Sequence, residues 1–502
     1  MSSPVSQRLA EAMAPEVQEY IYWPRLKQEI AASFTHVVDI NQAHALMLSE
    51  RHIITPEVAR ALAVALLEIE QHGPASIKPD PAREDLHFNF EAALIARTSS
   101  EIGGRIHIGR SRNDMGATID RMRARQACLE IGTRLNELRA ALLRQANTHA
   151  DVVMSGYTHL RPAQPVTFGF YLLGIANAMQ RDYRRISNAY EAINRSPMGA
   201  AAFAGTSFDI DRERVAALLG FHGLIEHAQD AVASRDFLLE LSSACATLGI
   251  TWSRLAQDLY VWSTDEFGLI TFADHVAGTS SIMPQKKNPV VMEYLKATGG
   301  ENIGSLVSML STMRASHFTN SIDAVRASTA GAWQTFDTTL RSLVIGRLMV
   351  DSCTPNRDNM LKQVARNFST LTDVADLLVR EYRISFREAH HVAGAAVRIA
   401  LERGLDSGDI DHDVLESAAL ATLGRKLGIS AEIALTCGDP KKSILERRSR
   451  GGASPAEIRR MHASAVEQLQ ADETTLRACI HAQKESREGL KSAIAALSGR
   501  SD

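Results

Sequence analysis

The chain has 502 residues, 45% of them apolar and 23% charged, and its formal net charge at pH 7 is −3. This composition is ordinary for a globular protein of two or three domains, and the charge argues against a nucleic-acid-binding surface. No stretch approaches the roughly 20 apolar residues that a membrane span needs, and the N-terminus lacks the apolar run of a signal peptide. The five cysteines are widely spaced without a CxxC pair, so we expect a cytoplasmic protein with neither disulfides nor a zinc site.

Apolar stripes predict that most of the chain is helical. Apolar residues recur at spacings of three and four in four stretches of the central part, and the longest stripe runs from Leu241 to Trp262. A stripe of that length is typical of a helix packed in a bundle. Proline is scarce, with 15 residues in the chain, which leaves room for long helices. The sequence therefore predicts a mainly all-α protein built around a helical bundle.

Three domains are predicted, and the bundle takes residues 114–366. Residues 1–113 mix short helical runs with a loop rich in proline and charge, HGPASIKPDPARED. A smaller helical domain is expected after the segment CTPNRDN, with bounds 367–502. Within it, Ser454-Pro455-Ala456-Glu457 has the order of a capping box, with proline at the first helical position.

Three polar clusters, each beside a predicted helix, carry the chemistry. HIGRSRND holds two arginines, a serine and an asparagine within four residues, and SGYTHLRPAQP places a threonine beside a histidine. GTSSIMPQKKNP, at 278–289, gathers two serines and two lysines where no helical or strand period can be read. Its last pair, Asn288 and Pro289, predicts a helix start, whose free N–H groups and partial positive charge attract anions. Together the clusters predict a binding site for carboxylates on a helical bundle.

Each cluster also has a plainer interpretation. The lysines of the third can simply solvate a surface loop, and a lone histidine is more often structural than catalytic. The basic run PKKSILERRSR is interpreted as a solvated loop. No cluster has the pattern of a phosphate loop, GGRIHIG lacks the dinucleotide fingerprint, and neither HExxH nor grouped carboxylates indicate a metal. We therefore expect neither a metal nor an organic cofactor.

The three clusters resemble known motifs when they are taken together. GTSSIMPQKKNP resembles the signature loop of the aspartase/fumarase superfamily, and HIGRSRND and GYTHLRPAQP resemble the first two shared regions of its argininosuccinate lyase branch. EDLH at 84–87, SRDF at 234–237 and DVADLLVREYRISFREAH at 373–390 extend the match in the same order. The resemblance implies a homotetramer with a twenty-helix bundle, in which each active site takes its three regions from three chains. It also implies cofactor-free, reversible elimination of an amine or water from a substituted succinate, which releases fumarate.

The resemblance also implies roles for the catalytic residues. Ser280 matches the general base, which removes the proton from the carbon next to a carboxylate and gives a doubly negative aci-form. Lys286 matches a cation that stabilises this form by aimed charge. His159 and Glu293 match a histidine–glutamate pair that orients Thr158 and polarises the site.

Carboxylate-binding roles follow in the same way. The positions that match substrate-binding residues of the family are Ser111, Arg112, Asn113, Thr158, Ser281 and Asn288. Arg235, in SRDF, is a weaker candidate of the same kind. For Arg112 a purely structural ion pair is the alternative.

The sequence departs from the argininosuccinate lyase pattern in the part that holds the amine. Those enzymes carry a segment like TYNKDLQEDK, where this chain has TNSIDAVRAS at 319–328, so that Asn320, Val325 and Ser328 replace tyrosine, glutamine and lysine. Their N-terminal serine and aspartate, in a segment like SIAYD, have no match in EYIYWPRLKQEI. Such losses reject a substrate by leaving its polar end without partners.

Two further departures lie closer to the reacting centre. Arg161 replaces the usual glutamine after THL, and Thr279 replaces a glycine before the paired serines. The pattern resembles enzymes that split ethylenediamine-N,N′-disuccinate (EDDS) into fumarate and N-(2-aminoethyl)aspartate. In this interpretation Arg161 binds a carboxylate of the distal aspartate.

Three other functions stay open. A true argininosuccinate lyase is the main alternative, and a cycloisomerase that closes a lactone on a carboxymuconate is a second. The third is a structural protein, such as the lens crystallins of this superfamily, since fold alone does not settle function. All of the predicted catalytic residues are present, and this favours an enzyme.

Overall fold

The computed structural model describes residues 11–499, and most of them are helical. This confirms the predicted fold class. None of the described helices combines the length and the apolar character that crossing a membrane would require.

The N-terminal helices pack around an apolar cluster of their own. Thr55 and Asp85 begin two of them by accepting hydrogen bonds from the backbone N–H three residues on. A π-helical turn at Gln18–Tyr22 precedes the longest one. The helices are α1 (Pro15–Val17), α2 (Trp23–Glu50), α3 (Pro56–His72), α4 (Leu86–Arg97) and α5 (Ser100–Gly103).

Long helices form the central bundle. The predicted stripe from Leu241 to Trp262 lies on one of them, and its apolar residues are buried, as expected. The helices of this part are α6 (Arg112–Thr148), α7 (Phe168–Ile193), α8 (Arg212–Leu218), α9 (Ala228–Ala233), α10 (Asp236–Trp262), α11 (Val290–Met313) and α12 (Ala330–Ser352). Helices α10 and α11 cross so closely that a Cβ atom on Gly299 would lie 2.8 Å from the backbone oxygen of Gly249. Glycine permits this approach because it has no side chain.

Short antiparallel strand pairs shape the loops at the ends of these helices. The pairs are β1 (Val153–Thr158) with β2 (Arg161–Thr167), β3 (Ile270–Phe272) with β6 (Cys353–Pro355), and β4 (Gly278–Thr279) with β5 (Lys287–Asn288). The first pair carries the second polar cluster. The last pair closes the loop of the third cluster, with Gly278 opposite Asn288.

The pairing of β4 with β5 corrects one prediction. Helix α11 begins at Val290 behind Pro289, so Asn288 is not its N-cap. The side-chain amide of Asn288 instead donates to the backbone oxygen of Thr279 at 3.0 Å. The asparagine therefore closes the loop across its base, a long-range role that a local capping rule does not detect.

The C-terminal part divides into a small helical unit and one long helix. The small unit contains α13 (Arg357–Arg366), α14 (Leu371–Tyr382), α15 (Phe386–Glu402), α16 (His412–Leu423), α17 (Ala431–Thr436) and α18 (Pro440–Leu445). Ser454 is the N-cap of helix α19 (Pro455–Ser498), as predicted, but the capping box is not completed, because the Ser454 N–H donates to Arg447 and the Glu457 side chain accepts from Gly451. The helix packs along α6, α7 and the N-terminal helices. The domain boundaries at residues 113 and 366 stay a prediction. They place α19 in the C-terminal domain, although this helix packs mainly against the central and N-terminal helices.

Candidate active site

A cavity of about 390 Å³ lies where the N-terminal helices meet the central bundle. Its walls come from α2, from the EDLH segment, from the start of α6 and from the 319–328 segment. Arg112, Asn113 and Arg235 line it, so part of the predicted site comes together within one chain.

The first polar cluster shapes the N-terminus of α6 beside this cavity. Ser111 is the N-cap, and its hydroxyl accepts from the backbone N–H of Asn113 at 3.3 Å. Asp114 completes a capping box by accepting from the N–H of Ser111 at 2.9 Å, and it also accepts from the N–H groups of Gly199 and Ala201. Burial nevertheless raises the pKa of Asp114 to about 6.

Arg112 is held by two carboxylates of EDLH. Its guanidinium donates to Glu84 at 2.6 Å and to Asp85 at 3.0 Å, and it lies 4.4 Å from the ring centre of Phe88. Burial alone would raise the pKa of Asp85, but His87, Arg112 and Arg25 outweigh it and hold that pKa below its usual value. Arg112 therefore makes the ion pairs of the structural alternative while its side chain still lines the cavity.

Asn113 connects the first cluster to the segment that departs from the argininosuccinate lyase pattern. Its side-chain oxygen accepts from the amide of Asn320 at 2.8 Å, and its amide donates to the backbone oxygen of Ala202 at 2.9 Å. In the same segment Val325 and Ser328 are buried, and the Ser328 hydroxyl donates to the backbone oxygen of Ala324 at 2.6 Å.

Arg235 lies in the cavity wall and is fully buried. It donates to Asp120 at 2.8 Å and to the backbone oxygens of Val232 and Ser234. These bonds fix the loop before α10, which gives this arginine a structural role in the chain.

The second polar cluster forms the exposed tip of the β1–β2 hairpin. Thr158 pairs with Arg161 across a two-residue turn of His159 and Leu160, and all four residues are exposed. Both turn residues have positive φ, 54° and 55°, as a type I′ turn requires. Residues other than glycine are strained there, and such strain is common at functional sites.

The third cluster is an exposed loop whose centre is Ser280. The Ser280 hydroxyl accepts from the backbone N–H of Met283 at 3.0 Å and of Ile282 at 3.4 Å. Lys287 pairs with Asp274. In the described part of the chain Lys286 has no such partner, and it is exposed, as is Ser281.

One chain does not bring the three clusters together. No residue of the hairpin tip or of the loop at 278–289 lines the cavity. Glu293 is exposed in the first turn of α11, and within residues 11–499 no hydrogen bond or ion pair joins it to His159. Nor does any group of three or more His, Cys, Asp or Glu residues in that range have the arrangement of a metal site.

Several residues of the cavity wall were not predicted. They are Arg25, Glu29, Arg123, Arg326 and Trp333. They come from four separate elements, and none belongs to a polar cluster of the sequence. Only Arg326 had a signal, because it lies within the divergent segment 319–328.

Comparisons with known proteins agree over most of the chain. A family profile described as lyase matches residues 22–304, and a profile of the argininosuccinate lyase C-terminal region matches residues 368–443. "Argininosuccinate lyase 1" of Shouchella clausii is 38% identical over 97% of this chain and 96% of its own length. An argininosuccinate lyase of Methanothermobacter thermautotrophicus is 36% identical over 90% of this chain and 96% of its own.

Solved structures extend this agreement to the fold. A crystal structure of EDDS lyase in complex with formate is 31% identical, covers 97% of each chain and has a TM-score of 0.87. A class II fumarase from Schistosoma mansoni is 17% identical, covers 88% of this chain and 96% of its own, and has a TM-score of 0.69, which shows likeness of fold alone.

Proposed function

This chain belongs to the argininosuccinate lyase-like branch of the aspartase/fumarase superfamily, as a fumarate-releasing carbon–nitrogen lyase, and we propose that its substrate is an N-substituted aspartate, with EDDS as the first choice. The products are then fumarate and N-(2-aminoethyl)aspartate. The elimination requires no metal and no organic cofactor.

Ser280 is the proposed general base. It takes the proton from the carbon next to a carboxylate, and the electrons move onto that carboxylate to give the aci-form. Collapse of the aci-form expels the amine with the electron pair of the C–N bond, and the amine then takes up a proton. The N–H groups of Ile282 and Met283, which already point at the Ser280 oxygen, stabilise its ionised form.

The remaining roles follow from the loop and the hairpin. Lys286, with Ser281 and Asn288, holds the doubly negative carboxylate. Thr158, oriented by the pair of His159 and Glu293, binds the same half of the substrate. Arg112 and Asn113 bind the second carboxylate from the wall of the cavity, together with Ser111 beside it.

Several copies of the chain have to meet to assemble this site. The hairpin tip and the loop lie away from the cavity of their own chain and are exposed. Helix α11 also exposes an apolar stripe formed by Ile303, Val307 and Leu310, which are 41%, 56% and 47% exposed. An exposed stripe of this kind is typical of a subunit interface. These observations support a homotetramer in which three chains contribute to each active site.

The segment 319–328 is the observation that carries the choice of substrate. Val325 and Ser328 are buried and Asn320 is bonded to Asn113. None of the three therefore supplies the hydrogen bonds that hold the arginine half of argininosuccinate. The fumarate half of the site is kept and the amine half is rebuilt. Arg161, on the exposed hairpin tip, adds a cation for a carboxylate of the distal aspartate.

Argininosuccinate lyase activity is the second candidate. It is favoured by the names of the curated relatives, two of which are 36% and 38% identical to this chain. Both candidates use the same elimination and differ only in the amine half.

Fumarate absorbance separates the candidates when purified protein is offered EDDS and argininosuccinate in parallel. We expect fumarate from EDDS, and loss of its formation in Ser280→Ala by on the order of 10³-fold. Fumarate from argininosuccinate at an ordinary enzymatic rate would contradict the proposed substrate, whereas fumarate from neither substrate would contradict both candidates.

A further inference from the structure

The cavity beside Arg112 carries more positive than negative side chains. Five arginines line it, together with three acidic residues, Glu29, Glu84 and Asp120. Three of the arginines are neutralised: Arg25 by Glu29 and Asp85, Arg112 by Glu84 and Asp85, and Arg235 by Asp120. The other two arginines, Arg123 and Arg326, form no ion pair with any described residue.

Arg123 is held by an aromatic ring rather than by a carboxylate. Its guanidinium carbon lies 3.7 Å from the ring centre of Trp333, which in turn packs edge-on against Phe336 at 5.8 Å. Stacking fixes the plane of a guanidinium and leaves its N–H groups free at the edge. Arg123 therefore presents a fixed hydrogen-bonding edge beside the cavity.

Arg326 belongs to the divergent segment 319–328 and lines the same cavity. It lies in a π-helical turn, Asp323–Ala327, and its side chain makes no hydrogen bond within the described part of the chain. The residue is exposed at the mouth of the cavity, and partial burial of its guanidinium together with the charge of Arg25 lowers its pKa against the opposing charges of Glu29 and Asp85. An anion bound in the cavity offsets the repulsion that Arg326 meets and fills its free donor positions.

We propose that Arg123 and Arg326 bind the carboxylates of the amine half and give the enzyme its preference for N-substituted aspartates whose amine half is anionic. The inference rests on the proposed function and assigns its specificity to two residues of the cavity, beside the expected contribution of Arg161. The distal aspartate of EDDS has two carboxylates, one for each unpaired guanidinium. The arginine half of argininosuccinate has one carboxylate, so it pairs with only one of the two arginines, and its α-ammonium and guanidinium are repelled by both.

Two substrates that differ only in the distal half test this assignment. N-(2-aminoethyl)aspartate keeps the aspartate and the amine of EDDS but lacks the distal succinate. We expect Arg326→Gln and Arg123→Gln each to lower kcat/KM for EDDS by at least about 100-fold, since each removes a charge-assisted pair. For N-(2-aminoethyl)aspartate, whose distal ammonium these arginines repel, the same variants should leave kcat/KM unchanged or raise it by less than about threefold.

Matched variants keep the test independent of folding. Arg398→Gln removes an exposed arginine of α15 that lies far along the chain and lines no described cavity, and it should change neither value. Arg326→Lys keeps the charge without the planar fork and should recover part of the loss for EDDS.

The outcomes separate the two claims. If EDDS yields no fumarate with the unchanged protein, the proposed substrate fails before this inference is reached. If EDDS yields fumarate but Arg326→Gln and Arg123→Gln lower kcat/KM equally for both substrates, or for neither, the assignment of specificity is overturned.

Discussion

Two backbone amides converge on the hydroxyl of Ser280, whereas the neighbouring Ser281 hydroxyl accepts no hydrogen bond among the described residues. A serine is a poor base unless its ionised form is stabilised, and donors aimed at the oxygen supply that stabilisation. The loop is exposed in one chain, so water competes for the same oxygen. Closure of the loop against other chains would exclude this water and strengthen the effect of the two amides.

The buried carboxyl of Asp39, on α2, is expected to make the stability of the folded protein depend on pH. Its side chain is buried, its Oδ1 atom has no hydrogen-bond partner in the described part of the chain, and Arg487 lies 3.3 Å from Oδ2. Burial raises its pKa from 3.8 to about 6, against the opposing charge of Arg487. The folded protein therefore holds this proton more tightly than the unfolded chain, and the resulting stability is present below pH 3.8 and lost as the pH rises through 6.

The variant Asp39→Asn removes this titration. We expect the melting temperature of the variant, relative to the unchanged protein, to rise between pH 4 and pH 7 by the equivalent of on the order of 2 kcal/mol. Differential scanning calorimetry across this range measures the difference. The exposed Asp265→Asn is the control for replacing one surface carboxylate by an amide. A flat difference for Asp39→Asn would show that its burial has no effect on its proton affinity.

At the scale of elements, the N-terminus of α19 is a clear case of local sequence fixing a helix boundary. Ser454 accepts from the backbone N–H of Glu457, and Pro455 occupies the first helical position. Loss of an N-cap hydroxyl costs about 1 kcal/mol, because one backbone donor loses its partner.

We therefore expect Ser454→Ala to lower the melting temperature, by an amount equivalent to about 1 kcal/mol. Ser464→Ala, at an exposed interior position of the same helix, makes the same chemical change without a cap and should be neutral or slightly stabilising. Thermal unfolding of the two variants side by side checks this. Equal losses from both would mean that the hydroxyl of Ser454 does not act as a cap.

Helices with one apolar stripe could be predicted from the sequence, and elements fixed by distant contacts could not. The apolar stripe on α10 is buried as expected. It could be predicted because its residues recur with the helical period within one continuous segment. Asn288 was wrongly predicted to be a helix N-cap, because its hydrogen-bond partner, Thr279, lies nine residues earlier across a loop. The wall of the cavity joins Arg25, Arg123 and Arg326, which no local pattern connects.

At the scale of the whole molecule, the three predicted regions of the active site have to come from one chain or from several. Motifs alone predicted the residues of three regions, and within one chain only the first region lines the cavity. The hairpin tip with His159 and the loop with Ser280 are both exposed, and within residues 11–499 neither has contacts that would complete a site. If each comes from a different chain, then two inactive variants can repair each other.

Mixed oligomers of Ser280→Ala and His159→Asn measure this directly. Each variant alone is expected to be inactive. After the two are dissociated, mixed in equal amounts and reassembled, about a quarter of the sites should receive an intact loop from one chain and an intact hairpin from another. Fumarate formation should recover toward that fraction, and the double variant mixed with itself should recover nothing. If one chain supplied both regions, no mixed site would contain both intact residues, and the absence of recovery would place His159 and Ser280 in the same subunit's share of the site.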